Sequence, residues 1–399
     1  MAERARAGFG LLLALAALLL ALPAFAAPRI GVMTMQPGEI FWERFGHDAI
    51  IVDDPARGGP VSYNFGFFDL SEPGFVGRFI RGEMEYALVA LPLEQDLEIY
   101  RQEGRGVRVQ WLDLSPTQAE RLAMALEENA RPENARYRYD YFLDNCATRV
   151  RDALDRALDG QLGPQLAASS RGITHRSEAT RLSRPAPWMW LGFELGLGPN
   201  ADRPLSRWQE AFIPMRLAES LREAKTAAGT PLVIAEEELL PHRLSTEPEP
   251  RAQPVLAWTL AGLVLGGLLL FAGRRRPRVA AAFALAFWGV CGLVGVLMLY
   301  LWLGSAHWAG WRNHNLLLMS PLAWLLLPGA WRLLRGKPPA RGFRALLWLV
   351  VGLALLALPL NWLAIDLQRN GPWLGLLLPV HLALAALWAR RRGNATIAR

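Results

Sequence analysis

Residues 139–152 read YDYFLDNCATRVRD. An irregular aromatic run gives way there to a helical pattern that places Val150, Leu154 and Leu158 on one face. Cys146 therefore stands where a helix begins. The free backbone N–H groups of a helix N-terminus stabilise a thiolate, so this position predicts a lowered thiol pKa. The same groups can bind a developing oxyanion. Arg149, one turn further, adds positive charge, and Asn145 and Arg149 are the candidate supports for substrate or oxyanion. Taken alone, a single cysteine is more often an inert buried group, so the reading depends on what accompanies it.

A nucleophilic thiol needs a base, and the segment Phe45-Gly46-His47 offers one at the start of a strand. Gly46 permits close approach of backbone or substrate. The run 45–52 (FGHDAIIV) is apolar and β-branched, a Pro/Gly turn occupies 53–60, and 61–68 (VSYNFGFF) reads as its hairpin partner. Asn64 on that partner is the candidate for orienting the imidazole through the ring nitrogen turned away from the thiol. Nucleophile, base and orienter thus lie in one domain, in the order His47, Asn64, Cys146. A metal site is not indicated, because His175 and His242 lack ligand spacing with the cysteine, and no cofactor motif is present.

Further strands are predicted at 86–90 and 107–112. Ser115-Pro116-Thr117-Gln118 forms a helix start, with an N-cap serine, proline at the first helical position and glutamine closing a capping box. The stretch 173–221 is helical and loop-rich, with Pro185, Pro187, Trp188, Trp190 and Trp208, and reads as packing the domain toward a bilayer.

Charge divides the chain in two. Residues 27–250 hold 25 Lys/Arg against 34 Asp/Glu, whereas Asp366 is the only acid from residue 251 onward. The basic residues of the second half sit in short runs between apolar stretches, a pattern of membrane topology and not of nucleic-acid binding. Apolar runs at 255–272, 279–303, 316–331, 345–364 and 373–389 each approach the ~20 residues that cross a hydrocarbon core, the third being the shortest. Arginine-rich connections follow the first, third and fifth runs, so those face the cytoplasm and the N-terminal domain lies outside. Trp302, Trp308, Trp311 and Trp373 fall near the outer ends of spans. The outer loop 305–315 reads either as a solvated connection or as a polar floor beneath the N-terminal domain.

The start of the chain agrees independently. Arg4 and Arg6, an apolar run 8–22 and Ala24-Phe25-Ala26 form a secretory signal with a small-x-small cleavage site. No cysteine follows that site, so the chain is not itself a lipoprotein. The expected organisation is a signal peptide at 1–26, a periplasmic catalytic domain at 27–244, a linker at 245–254, five transmembrane helices within 255–389 and a cytoplasmic tail at 390–399. The second cysteine, Cys291, lies within a span, which excludes a disulfide with Cys146.

F-G-H-x-A around His47, Y-N-F-G around Asn64, D-N-C-x-x-R around Cys146, then P-W and a late F-x-P-x-x-L resemble the periplasmic domain of the Lnb family of bacterial lipoprotein N-acyltransferases. The resemblance covers about residues 29–221, and the spans that follow fit the same architecture. It implies an α+β domain with a circularly permuted papain/NlpC-like cysteine fold, followed by an all-α five-helix transmembrane domain. It further implies Cys146 as nucleophile and His47 as base, with Asn64 the less secure third member. The activity it implies is transfer of a fatty acyl chain from membrane phospholipid, through a Cys146 thioester, to an amine acceptor, the N-terminal cysteine of a lipoprotein. Two alternatives stand beside it. An NlpC-type cell-wall peptidase or amidase should work as a detached domain, and a non-catalytic membrane scaffold should survive loss of Cys146.

Overall fold

The computed structural model describes residues 27–361 and 366–388; the expected signal peptide and cytoplasmic tail lie outside the described residues. Seven antiparallel strands form one sheet in the order β6-β4-β3-β2-β1-β5-β7. They are β1 (Arg29–Met35), β2 (His47–Asp54), β3 (Gly59–Phe67), β4 (Glu85–Pro92), β5 (Val107–Leu112), β6 (Arg136–Arg138) and β7 (Val233–Leu240). The expected β2–β3 hairpin is present, with Ala49 paired to Asn64 and Asp54 to Gly59. The strands expected near 86–90 and 107–112 are β4 and β5.

Three strands escape the sequence reading: β6 is only three residues long, and β1 and β7 are hidden for opposite reasons. β1 is an interior strand buried on both faces, so it shows no polar alternation and merges with the apolar sequence that precedes it. β7 (VIAEEELL) is a sheet edge with a largely exposed acidic run, the composition of an edge protected from further pairing.

Helices cover both faces. α1 (Phe75–Arg81) and α2 (Leu93–Glu103) connect strands, α3 (Pro116–Asn129) starts with the expected Ser115 capping box, and α4 (Cys146–Ala157) carries the cysteine. Ile30, Val32, Ile50, Val52, Tyr63 and Phe65 bury one sheet face against α3 and α4. Met33, Met35, Ala49 and Ile51 bury the other against Leu97 and Tyr100 of α2. α5 (His175–Ser183), α6 (Pro187–Gly196) and α7 (Pro214–Glu223) complete the α+β domain.

Among the described residues, five apolar segments long enough to span a membrane follow. They include α8 (Val255–Arg275), α9 (Pro277–Leu303), α11 (Phe343–Leu360) and α12 (Gly371–Trp388). The third, Asn315–Leu334, is broken: a short turn at Asn315–Leu318, a 3-10 segment at Pro321–Leu326 and α10 (Leu327–Leu334) replace one continuous helix. Pro321 and Pro328 account for the interruption, and His381 of α12 bonds the freed Leu318 carbonyl at 2.8 Å. Glycine permits close helix contact elsewhere: a Cβ at Gly262 of α8 would fall 2.3 Å from the Gly375 carbonyl of α12.

The outer loop 305–315 is a floor under the first domain. The Ala306 N–H donates to Arg81 O (2.7 Å), His307 Nε2 bonds Phe79 O (3.0 Å), and Asn313 Nδ2 donates to Leu195 O (2.6 Å). Gln368 Nε2 donates to Asn313 Oδ1 (2.9 Å) and the Arg369 N–H to Asp202 Oδ2 (3.1 Å). The linker is pinned as well. Arg181 donates to Pro248 O (2.9 Å) and pairs with Glu247 (2.7 Å), and Arg184 donates to Glu249 O (2.9 Å).

Candidate active site

Cys146 is the first residue of α4, and Asn145 is its N-cap in a reciprocal capping box with Thr148. The side chain is buried, at 8% exposure. Backbone N–H groups of Asp48, Ala147 and Cys146 itself lie near enough to the sulfur to favour its thiolate form. Asp48 follows His47 directly, so the thiol lies against the first turn of backbone after the expected base. On the facing strand, Gly66 sits in the β3 bulge between Phe65 and Phe67 with φ +98°, and its ideal Cβ would stand 3.7 Å from Cys146 Cβ. A side chain there would be strained and would crowd the thiol. Continuing the β2–β3 register two residues beyond the Ala49–Asn64 pair sets Gly66 opposite His47. The bonded pair His47 and Asn64 and the N-terminus of α4 with Cys146 therefore lie at the same end of the sheet.

The imidazole is held by a chain of polar groups on the α2 face. His47 Nε2 bonds Asn64 Oδ1 at 3.1 Å. Asn64 Nδ2 donates to Asp96 Oδ2 (2.9 Å) and to Ser62 Oγ (3.2 Å), while Ser62 Oγ donates to Asp96 Oδ2 (2.6 Å). The Asp96 carboxylate accepts only, so it fixes the amide with its oxygen toward the ring. That oxygen places the imidazole proton on Nε2 and leaves the Nδ1 lone pair free to take a proton.

Asp96 was not anticipated. It is 2% exposed and shares the inward face of α2 with Leu97 and Tyr100. The signal was available, since an acid at an apolar-face position of an amphipathic helix requires a buried partner.

Burial overrides the expectation of a lowered thiol pKa. Desolvation, followed by the neighbouring Asp48 carboxylate, pushes Cys146 up to about 12 despite the three amides. Burial, then the Arg105 guanidinium, lowers His47 to about 4. The resting pair is neutral thiol and neutral imidazole. Asp48 is fully buried, accepts from Thr34 Oγ1 at 2.7 Å and is itself raised by burial to about 7.

A pH-dependent effect follows with a definite sign. Above pH 7 Asp48 is charged and opposes the thiolate; below about pH 6 it is protonated and does not. Asp48→Asn is therefore expected to speed iodoacetamide alkylation of Cys146 several-fold at pH 8 to 9, with the difference vanishing at pH 5.5. Equal rates for the two proteins across this range would show that Asp48 does not act on the sulfur.

Asn145 does not occupy the role expected of it, and Arg149 is turned toward Asp144. Asn145 Nδ2 donates to Tyr141 O (2.9 Å) and Phe212 O (2.8 Å), and its Oδ1 caps the Thr148 N–H (3.0 Å). Arg149 binds both Asp144 oxygens, at 2.6 and 2.8 Å, and stacks over Tyr137 with Cζ 3.8 Å from the ring centroid. The polar atoms of Asn145 are spent on building the turn into α4, and Arg149 directs Nε and Nη2 to Asp144. The backbone amides around the sulfur are the groups placed to receive an oxyanion. The turn is also held from the membrane side: Trp308 Nε1 donates to Asp140 Oδ2 (2.9 Å), and Asp140 Oδ1 accepts the Phe142 and Leu143 N–H groups (2.9 and 3.0 Å).

Residues 26–177 match the Lnb N-terminal periplasmic domain, and residues 247–372 match the Lnb transmembrane domain. The chain belongs to the Lnb family. The two matched segments together cover well over half of its length, in the order that the resemblance implied, and they make it a membrane protein with a periplasmic N-terminal domain. The second segment ends just inside α12. No curated protein and no solved structure matches the chain. Within the Lnb match lie His47, Asn64, Asp96 and Cys146, the whole polar chain described above.

Proposed function

We propose that this Lnb-family chain is a cysteine acyltransferase of the bacterial inner membrane, with its N-terminal domain in the periplasm and its C-terminus in the cytoplasm. The observation that carries the reading is the His47–Asn64–Asp96 chain beside a helix-N-terminal thiol, in a domain bonded to the outer surface of five membrane-spanning segments. In this reading His47 Nδ1 takes the Cys146 proton as the sulfur attacks an ester carbonyl of a phospholipid. The amides of Asp48, Cys146 and Ala147 hold the oxyanion. Collapse breaks the acyl C–O bond, the lysophospholipid leaves with the proton from His47, and a Cys146 thioester remains. An amine, taken here as the N-terminal cysteine of a lipoprotein, then attacks the thioester. His47 accepts the amine proton and returns one to the departing thiolate.

The neutral resting pair suits this chemistry. A thiol held unionised in a dry site is protected from adventitious oxidation and alkylation until a substrate carbonyl is present. Incubation of the full-length protein with dipalmitoyl phosphatidylethanolamine and no acceptor is expected to add one palmitoyl mass to the peptide containing Cys146. The adduct should be released by neutral hydroxylamine, as a thioester is. Accumulated lysophospholipid without any adduct on Cys146 would refute a cysteine-linked intermediate.

A further inference from the structure

Around the approach to Cys146 stand large exposed apolar side chains that the packing of the domain does not require. Ile40, Phe41 and Trp42 precede His47 and are 48%, 38% and 40% exposed; Phe67 and Leu70 follow Gly66 at 56% and 54%; Leu143 precedes Cys146 at 56%. Each segment that delivers a residue of the site thus also presents large apolar groups to the outside. Trp188, at the start of α6, is 67% exposed. Scattered exposed leucines need no explanation, whereas a connected group of exposed aromatics marks a surface that meets something apolar.

These rings form an unbroken series. Trp188 lies 6.1 Å from Phe41, Phe41 is 4.8 Å from Trp42, and Trp42 is 5.9 Å from Phe68. Phe68 stacks on Tyr86 at 4.9 Å, and Tyr86 meets Tyr139 at 4.2 Å. Tyr139 in turn lies 3.7 Å from the ideal Cβ position of Gly66, the same distance as Cys146 Cβ. The far end of the series joins the membrane helices. Trp190, on the same helix as Trp188, is 6.4 Å from Trp258 in the first turns of α8, and Trp258 is 4.9 Å from Trp373 at the outer end of α12. Aromatic rings therefore mark the way from the outer ends of two spans to the bulge beside the thiol, with α6 itself bridging the step from Trp190 to Trp188.

We infer that this line, and chiefly Phe41, Trp42, Phe68 and Trp188, is the track along which the donor lipid's fatty acyl chain leaves the outer leaflet and reaches Cys146. The occupant follows from continuity with the membrane-embedded helices. A polar acceptor peptide or a glycan would leave the exposed rings unmatched, and only an acyl chain is apolar along the whole distance. Ring faces suit a flexible chain, because they offer contact area without demanding one conformation. The inference rests on the acyltransferase reading but is separable from it.

The test uses full-length protein in nanodiscs and follows Cys146 acylation by intact mass, with dipalmitoyl phospholipid in the disc or with water-soluble dihexanoyl phospholipid. Losing the burial offered by one large ring should weaken chain binding about tenfold. Trp42→Ser and Trp188→Ser are therefore each expected to slow acylation from the long-chain donor about tenfold, with little change from the short-chain donor. Equal slowing with both donors, or none with either, would overturn the track. Wild-type protein that is acylated by neither donor would instead defeat the acyltransferase reading itself. A second measurement does not depend on the folding of variants: a phospholipid with a diazirine near the acyl terminus should crosslink to peptides containing residues 40–42, 67–70 or 188–191. Crosslinks confined to the spanning segments would place the chain elsewhere and overturn the inference.

Discussion

In full-length protein, Cys146→Ser is expected to lower acyl transfer by about 10⁴-fold and to abolish the hydroxylamine-labile adduct. The size of the loss follows from the base. His47 is lowered to about 4 by burial and by Arg105, so it is a weak base. The thiol it has to deprotonate is itself raised to about 12. A serine hydroxyl is several pKa units less acidic still, and the same imidazole cannot draw its proton at a useful rate. His47→Ala should cost ~10²- to 10⁴-fold by removing the proton acceptor. Because the imidazole is neutral above its pKa, the acid limb of the wild-type rate should fall near pH 4, well below the usual histidine range. Asp96 raises the His47 pKa, so Asp96→Ala should move that limb to still lower pH, besides freeing the Asn64 amide to turn. A merely structural Asp96 would change the rate and leave the limb where it was. Full activity in Cys146→Ser would remove the thiol from the mechanism and favour the scaffold alternative.

What the sequence disclosed depended on whether a feature is local. The turn into α4, the β2–β3 hairpin and the Ser115 cap are set by neighbouring residues, and each was readable from spacing and residue type. The spans and the acidic–basic division were equally plain, because hydropathy and arginine runs need no tertiary context. The interior strand β1 was hidden by its burial on both faces, and with it the Thr34–Asp48 bond that fixes the carboxylate beside the thiol. The thiol's raised pKa was illegible for a related reason. A helix N-terminus is visible in sequence, but desolvation belongs to the packing around it, and burial is the larger effect at Cys146. Asn145 and Arg149 stand beside the nucleophile in sequence, yet proximity along the chain did not predict that Tyr141 and Phe212 would bond the one and Asp144 the other. Asp96, some fifty residues from Cys146, is by contrast tied to the site through Asn64.

Release of the N-terminal domain by truncation near Thr246 is expected to abolish most activity on bilayer phospholipid while preserving the fold. The two cores on either side of the sheet draw only on residues 30–240, so the sheet keeps both, while the smaller cluster of Ala179, Leu197 and Ala201 loses Ala309 and Trp308. The domain loses the floor. Drawing an acyl chain fully into water costs about 0.8 kcal/mol per CH₂, roughly 10 kcal/mol for a chain of ordinary length. That is a large part of the barrier lowering an enzyme can supply, so a thiol working on such a chain has to be held where the chain need not enter water. Truncation also removes the Trp308 bond to Asp140 that holds the turn into α4, and a soluble short-chain ester separates the two losses. A loosened turn slows both substrates alike, whereas loss of the membrane path slows only the liposome reaction. Trp308→Phe in the full-length chain, which keeps the ring but removes its N–H donor, gives the size of the first effect alone. The expected result is a small loss for Trp308→Phe on both substrates and, for the truncated domain, a loss on liposomes at least a hundredfold greater than on the soluble ester. Turnover on liposomes undiminished by truncation would make the five spans an anchor only, and a polar substrate outside the membrane, as for a cell-wall peptidase, would then be the better account of the site.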